Sequence, residues 1–135
     1  MLSWNPEYAL GIPEIDGEHQ QLVDMMRKLE LAADRRDRSH VVKGVIAEIG
    51  QYVDVHFRHE EELMEKAKYP AYEQHYQAHK AFARKVEDLK LFSSLDPAEL
   101  HKILVQWLIE HIMKADRDYA PYVEQYLREQ EAAVN

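Results

Sequence analysis

The chain has 135 residues and a formal net charge of −8, with 46% hydrophobic and 31% charged residues. This length and composition are typical of one globular domain. The acidic balance, with no run of basic residues, argues against nucleic acid and anionic membrane surfaces as partners. The absence of cysteine excludes disulfides, zinc–thiolate sites, cysteine-bound iron–sulfur clusters and a cysteine nucleophile.

The first residues, 1 to about 15, are predicted to form an extended arm, because Pro6, Gly11 and Pro13 interrupt helical periodicity. The arm has neither the basic start nor the apolar stretch of a secretory signal. No apolar run in the chain approaches the ~18 residues that span a membrane. A cytoplasmic location is therefore expected.

Apolar residues then recur with helical spacing in four consecutive segments. We predict helices over residues 17 to about 36, about 40 to 68, about 70 to 91 and about 97 to 116. Short polar loops separate them, and no strand pattern or internal repeat is present. The predicted fold is all-α, an antiparallel up-down-up-down four-helix bundle in a single domain, with the bundle over about 16–118.

Local signals indicate where these helices begin and end. Asp16 is a candidate N-cap for the first helix. Tyr69-Pro70 ends the second, because a residue before proline avoids the helical region. Asp96-Pro97 supplies a cap followed by a proline in the first turn of the fourth helix. Pro121 limits that helix, so residues about 119–135 are predicted to form a tail or a short terminal helix.

The chain has eight histidines, and five of them lie on the inward-facing stripes of the predicted helices: His19, His56, His75, His79 and His111. A single histidine on an apolar face is more often a satisfied core residue than a ligand. Five inward imidazoles with a buried carboxylate cannot satisfy one another by hydrogen bonds, because each neutral ring offers one donor and one acceptor. A metal ion removes the difficulty, since it binds neutral nitrogens and anionic oxygens together.

Two acidic residues accompany these histidines. Glu60 follows His56 by four residues and shares its helix face, whereas the rest of the acidic run 60–62 is predicted to be solvated. Asp116 follows His111 by five residues, which is about 140° around a regular helix. Spacing alone therefore supports two readings of Asp116 equally, a metal ligand and a polar surface residue.

The other three histidines lie off the inward stripes. His40 is at a helix start, and His59 is on the flank of the second helix. His101 lies about 80° around the fourth helix from the direction of His111. We predict that all three face solvent.

In chain order the candidate residues form the motifs H, HxxxE, HxxxH and HxxxxD on four helices. With this pattern the chain resembles the hemerythrins, specifically the single-domain bacteriohemerythrins, over about residues 4–120. The resemblance implies a non-haem pair of iron ions joined by an oxo or hydroxo bridge. It also implies seven ligands: His75, His79 and His111 on one iron, His19 and His56 on the other, and Glu60 and Asp116 as bridges.

The resemblance carries two further expectations, and spacing adds a third. Helix four should be irregular between His111 and Asp116, so that both side chains reach the irons. Tyr119 follows Asp116 by three residues and is therefore a candidate hydrogen-bond donor beside the ligands. A dry O2 pocket is expected to consist of apolar residues adjacent to the ligands: Leu22, Phe57, Trp107, Leu108 and Ile112.

These ligands and the bridge leave one coordination position for O2, on the iron bound by two histidines. Carboxylate-rich bundles that activate oxygen bind their metals with Glu-x-x-His pairs. This chain offers no such pair at matching inward positions, because Glu73, Glu99 and Glu110 are out of phase with the inward stripes. The expected function is reversible O2 binding without catalysis, for transport, storage or supply to an oxygen-consuming enzyme, with a monomer favoured. The alternatives are a sensor or scavenger of O2, NO or peroxide, a di-iron oxidase or ferroxidase, a manganese or zinc protein, and a metal-free interaction module.

Overall fold

The computed structural model describes residues 2–33, 39–91 and 97–134. The helices are α1 (Pro13–Ala33), α2 (Ser39–Lys66), α3 (Tyr72–Leu91), α4 (Pro97–Glu110) and α5 (Arg117–Val134), with a π-helical segment, His111–Asp116, between α4 and α5. All regular secondary structure in the described ranges is helical, which confirms the all-α bundle. The predicted cap at Asp96, the loop before it and the predicted end of the first helix lie outside the described residues.

The bundle forms because α1 packs against both α2 and α4, and α2 also packs against α3. Two apolar clusters fill it. The larger extends from Leu22 on α1 to Leu108 and Ile112, and the smaller contains Ile15, Leu63 and Tyr119, among others. Four continuous stretches of helix pass from one cluster to the other through the residues predicted to bind metal: α1, α2, α3, and α4 together with the π-helical segment and α5. None of the helices described is both long and apolar enough to cross a membrane.

The first helix begins earlier than predicted. It starts at Pro13 rather than at residue 17, because proline is compatible with the first turn, where its missing N–H is not needed. Asp16 is consequently inside α1 and does not cap it. Its carboxylate instead accepts from the backbone N–H groups of Leu10 and Gly11, at 2.8 and 3.2 Å. Asp16 therefore fastens the arm to α1.

The arm is held at both ends and is not wholly extended. Pro6–Tyr8 forms a short 3₁₀ helix. Arg27 Nε donates to the Leu2 carbonyl at 3.0 Å, and an Arg117 guanidinium N–H donates to the Glu7 carbonyl at 2.5 Å. The second of these bonds ties the arm to the residue that follows the π-helical segment.

The sequence predicted that Pro121 would limit the fourth helix, and this prediction is wrong. Pro121 lies inside α5, which follows the π-helical segment without a break. A proline within a helix costs about 3 kcal/mol. Tyr119 and Val123 are fully buried beside it and Ala120 nearly so, and burying one large apolar side chain contributes about 1.5–3 kcal/mol. Packing of these residues outweighs the proline, so the chain stays helical.

Candidate metal centre

The seven residues predicted to bind metal meet in one buried cluster between the two apolar clusters. None is more than 8% exposed. They come from every part of the bundle: His19 on α1, His56 and Glu60 on α2, His75 and His79 on α3, and His111 and Asp116 on the π-helical segment. The inward orientation predicted for the five histidines is therefore confirmed.

Asp116 lies between two groups of histidines. Its Oδ1 is 3.0 Å from Nε2 of both His75 and His111, and its Oδ2 is 3.1 Å from Nε2 of His19. We call His75, His79 and His111 the three-histidine group, and His19 and His56 the two-histidine group. The two oxygens of one carboxylate thus face different groups, which is the arrangement that a bridging ligand requires.

Glu60 also contacts both groups. Its Oε1 is 2.9 Å from Nε2 of His56 and 3.4 Å from Nε2 of His79. Its Oε2 is 3.8 Å from Nε2 of His19 and accepts a hydrogen bond of 2.5 Å from the hydroxyl of Tyr119. Tyr119 is fully buried, so Glu60 is fixed from the side of the smaller apolar cluster.

Many of these atoms are close together without being hydrogen-bonded. Buried atoms with no hydrogen-bond partner include both ring nitrogens of His19, both oxygens of Asp116, Oε1 of Glu60, and Nε2 of His75, His79 and His111. Native proteins rarely tolerate this, because an unpaired buried polar group costs about 1–3 kcal/mol. Neutral nitrogens and anionic oxygens directed at a common point are what a metal ion needs.

The donors divide into two sets. Within each set, one ligand atom per residue lies within 4.8 Å of all the others. One set combines the three-histidine group with Glu60 and Asp116, and the other combines the two-histidine group with Glu60. The side chains present therefore fit a metal centre, and their grouping fits two ions that share a carboxylate.

The π-helical segment explains how His111 and Asp116 reach the same place. A π-helix closes its hydrogen bonds from residue i to i+5, so residues five apart lie on nearly the same face. His111 and Asp116 are the first and last residues of this segment, and their side chains are 3.0 Å apart. The irregularity predicted for helix four is confirmed.

Comparisons with known proteins agree with this geometry. A family model described as the hemerythrin HHE cation binding domain matches residues 10–123. The chain belongs to the hemerythrin family. It is 34% identical to a bacteriohemerythrin of Stenotrophomonas maltophilia, over 96% of this chain and 86% of that protein. It is 30% identical to one of Clostridium acetobutylicum, over 88% and 98%, and 31% identical to one of Pseudomonas aeruginosa, over 95% and 85%.

Two carboxylates that were not predicted from the sequence contact histidines of this hemerythrin cluster on the side away from the candidate metal-binding atoms. Glu18 Oε1 lies 2.6 Å from Nδ1 of His56, and Glu61 Oε2 lies 2.8 Å from Nδ1 of His79. The prediction that Glu61 is solvated is wrong, because its side chain turns towards α3 and is only 17% exposed. A general signal was present: a metal-binding histidine usually donates its other ring N–H to an acceptor, often a carboxylate.

The histidines predicted to face solvent are more enclosed than expected. His59 Nδ1 lies 2.6 Å from Glu18 Oε2, and the His59 side chain is 29% exposed. His101 is half-buried, with Nε2 3.6 Å from a carboxylate oxygen of Glu30 on α1. Both rings thus lie beside acidic residues of α1, and the prediction is wrong for His101. The side chain of His40 lies outside the described part of the structure.

Aromatic rings cover the cluster on the side of the larger apolar cluster. Phe57 stacks on His79 with ring centroids 3.7 Å apart and an angle of 3°, and Trp107 stacks on His111 at 4.4 Å and 13°. The other residues predicted for the O2 pocket are buried in the same apolar cluster: Leu22, Leu108 and Ile112. These contacts separate the candidate metal-binding atoms from water on this side.

The charges in the cluster are strongly coupled. With no ion between the side chains, burial lowers the pKa of His56, but the charge of Glu60 and the hydrogen bond to Glu18 outweigh burial and raise it to about 10. Burial and the charge of Asp116 raise the pKa of Glu60, yet His56 holds it well below its usual range. Burial, reinforced by the charge of Glu60, raises the pKa of the Tyr119 hydroxyl well above its usual value. The Tyr119 hydroxyl therefore keeps its proton at physiological pH and donates a hydrogen bond to Glu60.

Metal uptake by the stripped chain is expected to release a proton from His56. The ring is protonated below its raised pKa of about 10, whereas a metal ion binds the neutral form. The apparent affinity of the two-histidine group is therefore expected to rise about tenfold per pH unit between about pH 6.5 and 9. Calorimetric titration with Zn²⁺ in two buffers of different ionisation enthalpy counts the protons released, and equal heats in both buffers would contradict this prediction.

Proposed function

We propose that this chain binds O2 reversibly at a non-haem pair of iron ions joined by an oxo or hydroxo bridge, and that it thereby carries, stores or supplies O2 without catalysing a reaction. The three-histidine group would hold one iron and the two-histidine group the other, with Glu60 and Asp116 shared between them. The supporting observation is the set of buried, unpartnered nitrogen and oxygen atoms divided between the two groups. An oxygen-consuming enzyme is the expected recipient of the O2.

The bound iron pair would supply the electrons that O2 takes up on binding and would receive them back on release. The chain keeps the site dry and fixed. Phe57 and Trp107 stack on ligand rings, and the apolar cluster behind them excludes water, which would otherwise promote oxidation of the site. Tyr119 fixes Glu60 through its hydroxyl and keeps that carboxylate from rotating.

One observation favours O2 binding over an oxidase or ferroxidase. Carboxylate-rich bundles that activate oxygen place additional glutamates among the ligands. Here the two additional carboxylates near the cluster, Glu18 and Glu61, face the Nδ1 atoms of His56 and His79 and not the Nε2 atoms. They lie behind the rings, so the ligand set retains five neutral nitrogens and two carboxylates, which should make highly oxidised iron less stable.

The test is the visible spectrum of the iron-loaded, reduced chain. Air is expected to produce a coloured oxygenated form, which bleaches when O2 is removed and returns when O2 is readmitted over several cycles. A single irreversible conversion to the diferric form would contradict the proposal and favour a scavenger. Continued consumption of O2 in the presence of a reductant would identify an oxidase.

A further inference from the structure

One carboxylate on α1 links the two-histidine group to a histidine near the surface. The Oε1 atom of Glu18 lies 2.6 Å from Nδ1 of His56, and its Oε2 atom lies 2.6 Å from Nδ1 of His59. Both oxygens of Glu18 therefore accept from imidazole rings on α2. His56 is buried in the cluster, whereas His59 is partly exposed. These contacts lead from the metal-binding atoms to the outside of the bundle.

We infer that His59 is a positioning residue for the metal centre: its ring N–H holds Glu18 in the orientation in which Glu18 accepts from His56, and it thereby sets how tightly the two-histidine group retains its ion. This inference rests on the proposed function, in which His56 is a ligand of the second iron. His59 belongs to neither candidate ligand set; its Nδ1 faces Glu18 and its Nε2 faces Glu14 at 3.6 Å.

Glu18 needs a second contact to keep this orientation. Its side chain is 25% exposed, so water competes for both of its oxygens. A glutamate side chain has several rotamers, and many of them would leave Nδ1 of His56 without an acceptor. The hydrogen bond from His59 selects one rotamer. A ligand histidine depends on its outer partner for ring orientation and basicity, and loss of such a partner typically weakens metal binding about 10–100-fold.

The consequence of losing His59 is expected to be confined to one ion. The three-histidine group has its own outer carboxylate, Glu61, which contacts His79 at 2.8 Å and makes no contact with His59 in the described structure. The candidate ligand set around that group also has one more imidazole than the other set, and it includes Asp116 as well as Glu60. Weakening His56 should therefore change retention of the ion at the two-histidine group and leave the other ion in place.

The experiment measures how fast iron leaves the full-length chain. Reduced, iron-loaded protein is mixed without oxygen with a chelator whose ferrous complex is coloured, and the wild type is expected to release about two ions per chain in two phases. In His59→Ala the first phase is expected to be about tenfold faster and the second unchanged. His59→Asn, whose side-chain N–H can donate to Glu18 as the ring does, is expected to restore a release rate close to that of the wild type.

Three further variants sharpen the result. Glu14→Gln, at a 48% exposed position beside His59, is expected to leave both phases unchanged. Glu18→Ala combined with His59→Ala is expected to release iron no faster than Glu18→Ala alone, because His59 acts only through Glu18. Glu18→Gln has one acceptor oxygen in place of two, so its release rate is expected to fall between those of the wild type and Glu18→Ala.

The outcomes distinguish the inference from the function on which it rests. Wild-type release from His59→Ala overturns the role of His59, as does failure of His59→Asn to restore slow release. Circular dichroism of each variant checks that the helices are intact. Far fewer than two ions per chain in the wild type would instead overturn the proposed function, and this inference with it, because that result does not involve His59.

Discussion

Replacement of Glu60 by alanine is expected to lower the iron content from about two ions per chain to less than about one. Glu60 is the residue common to both ligand sets, so its loss weakens both ions at once. The change also leaves the fully buried hydroxyl of Tyr119 without its acceptor, which costs a further 1–3 kcal/mol or so of stability. Iron analysis of the purified variant, together with its visible spectrum, measures the effect.

Glu62→Ala is the matched control for this experiment. Glu62 lies two residues further along α2 on the solvent side and pairs with Lys66 at 2.8 Å. Both partners of this pair are exposed, so solvent screens their attraction and the Glu62 variant is expected to retain about two ions. If Glu60→Ala retained as much iron as Glu62→Ala, Glu60 would not be a ligand and the proposed sharing of carboxylates would be wrong.

The fold could be predicted from the sequence wherever local pattern and tertiary packing agree. The long apolar stripes of α1 to α4 have a helical period, and the structure contains these helices. The errors occur where packing and local preference differ. Pro121 should end a helix by its own chemistry, but the buried side chains of Tyr119 and Val123 keep α5 continuous across it. The apolar period of the sequence indicates neither the energetic cost of a proline within the helix nor the packing of buried side chains that outweighs it.

The candidate metal-binding residues could be predicted because they follow spacing along single helices. Pairs such as His56 and Glu60 or His75 and His79 are four residues apart and face the same way in any regular helix. Asp116 is different, since only the resemblance to hemerythrins indicated the irregular turn that brings it to His111. The structure now shows that turn as a π-helical segment.

The outer carboxylates could not be predicted in the same way. Glu18 contacts His56 and His59 across the interface of α1 and α2, and Glu61 contacts His79 across that of α2 and α3. The relative rotation of two packed helices decides which acidic residue faces which histidine ring. Spacing within one helix carries no information about that rotation. The need for some acceptor at each Nδ1 is chemical knowledge, whereas the identity of that acceptor is set by helix packing.

Removal of iron by a chelator is expected to lower the unfolding midpoint of the chain by about 10 °C or more. A ligand present at about a thousand times its Kd stabilises the folded state by about 4 kcal/mol. For a domain of this size, 1 kcal/mol shifts the midpoint by roughly 3–5 °C. Iron removal also leaves Glu60 and Asp116 fully buried among atoms that have no hydrogen-bond partner. Thermal unfolding followed by circular dichroism, with and without chelator, measures the shift.

The Glu60→Ala variant separates loss of iron from other effects of the chelator. With less than about one ion bound, its midpoint is expected to change little when chelator is added.

The stripped wild-type chain should still be helical at room temperature, because the two apolar clusters bury residues from every helix without involving the ligands. An unchanged midpoint after complete iron removal would mean that protonated His56, together with the other buried rings, already compensates Glu60 and Asp116. In that case the cluster would be a stable ionic network in its own right, and iron binding would add no stability to the fold.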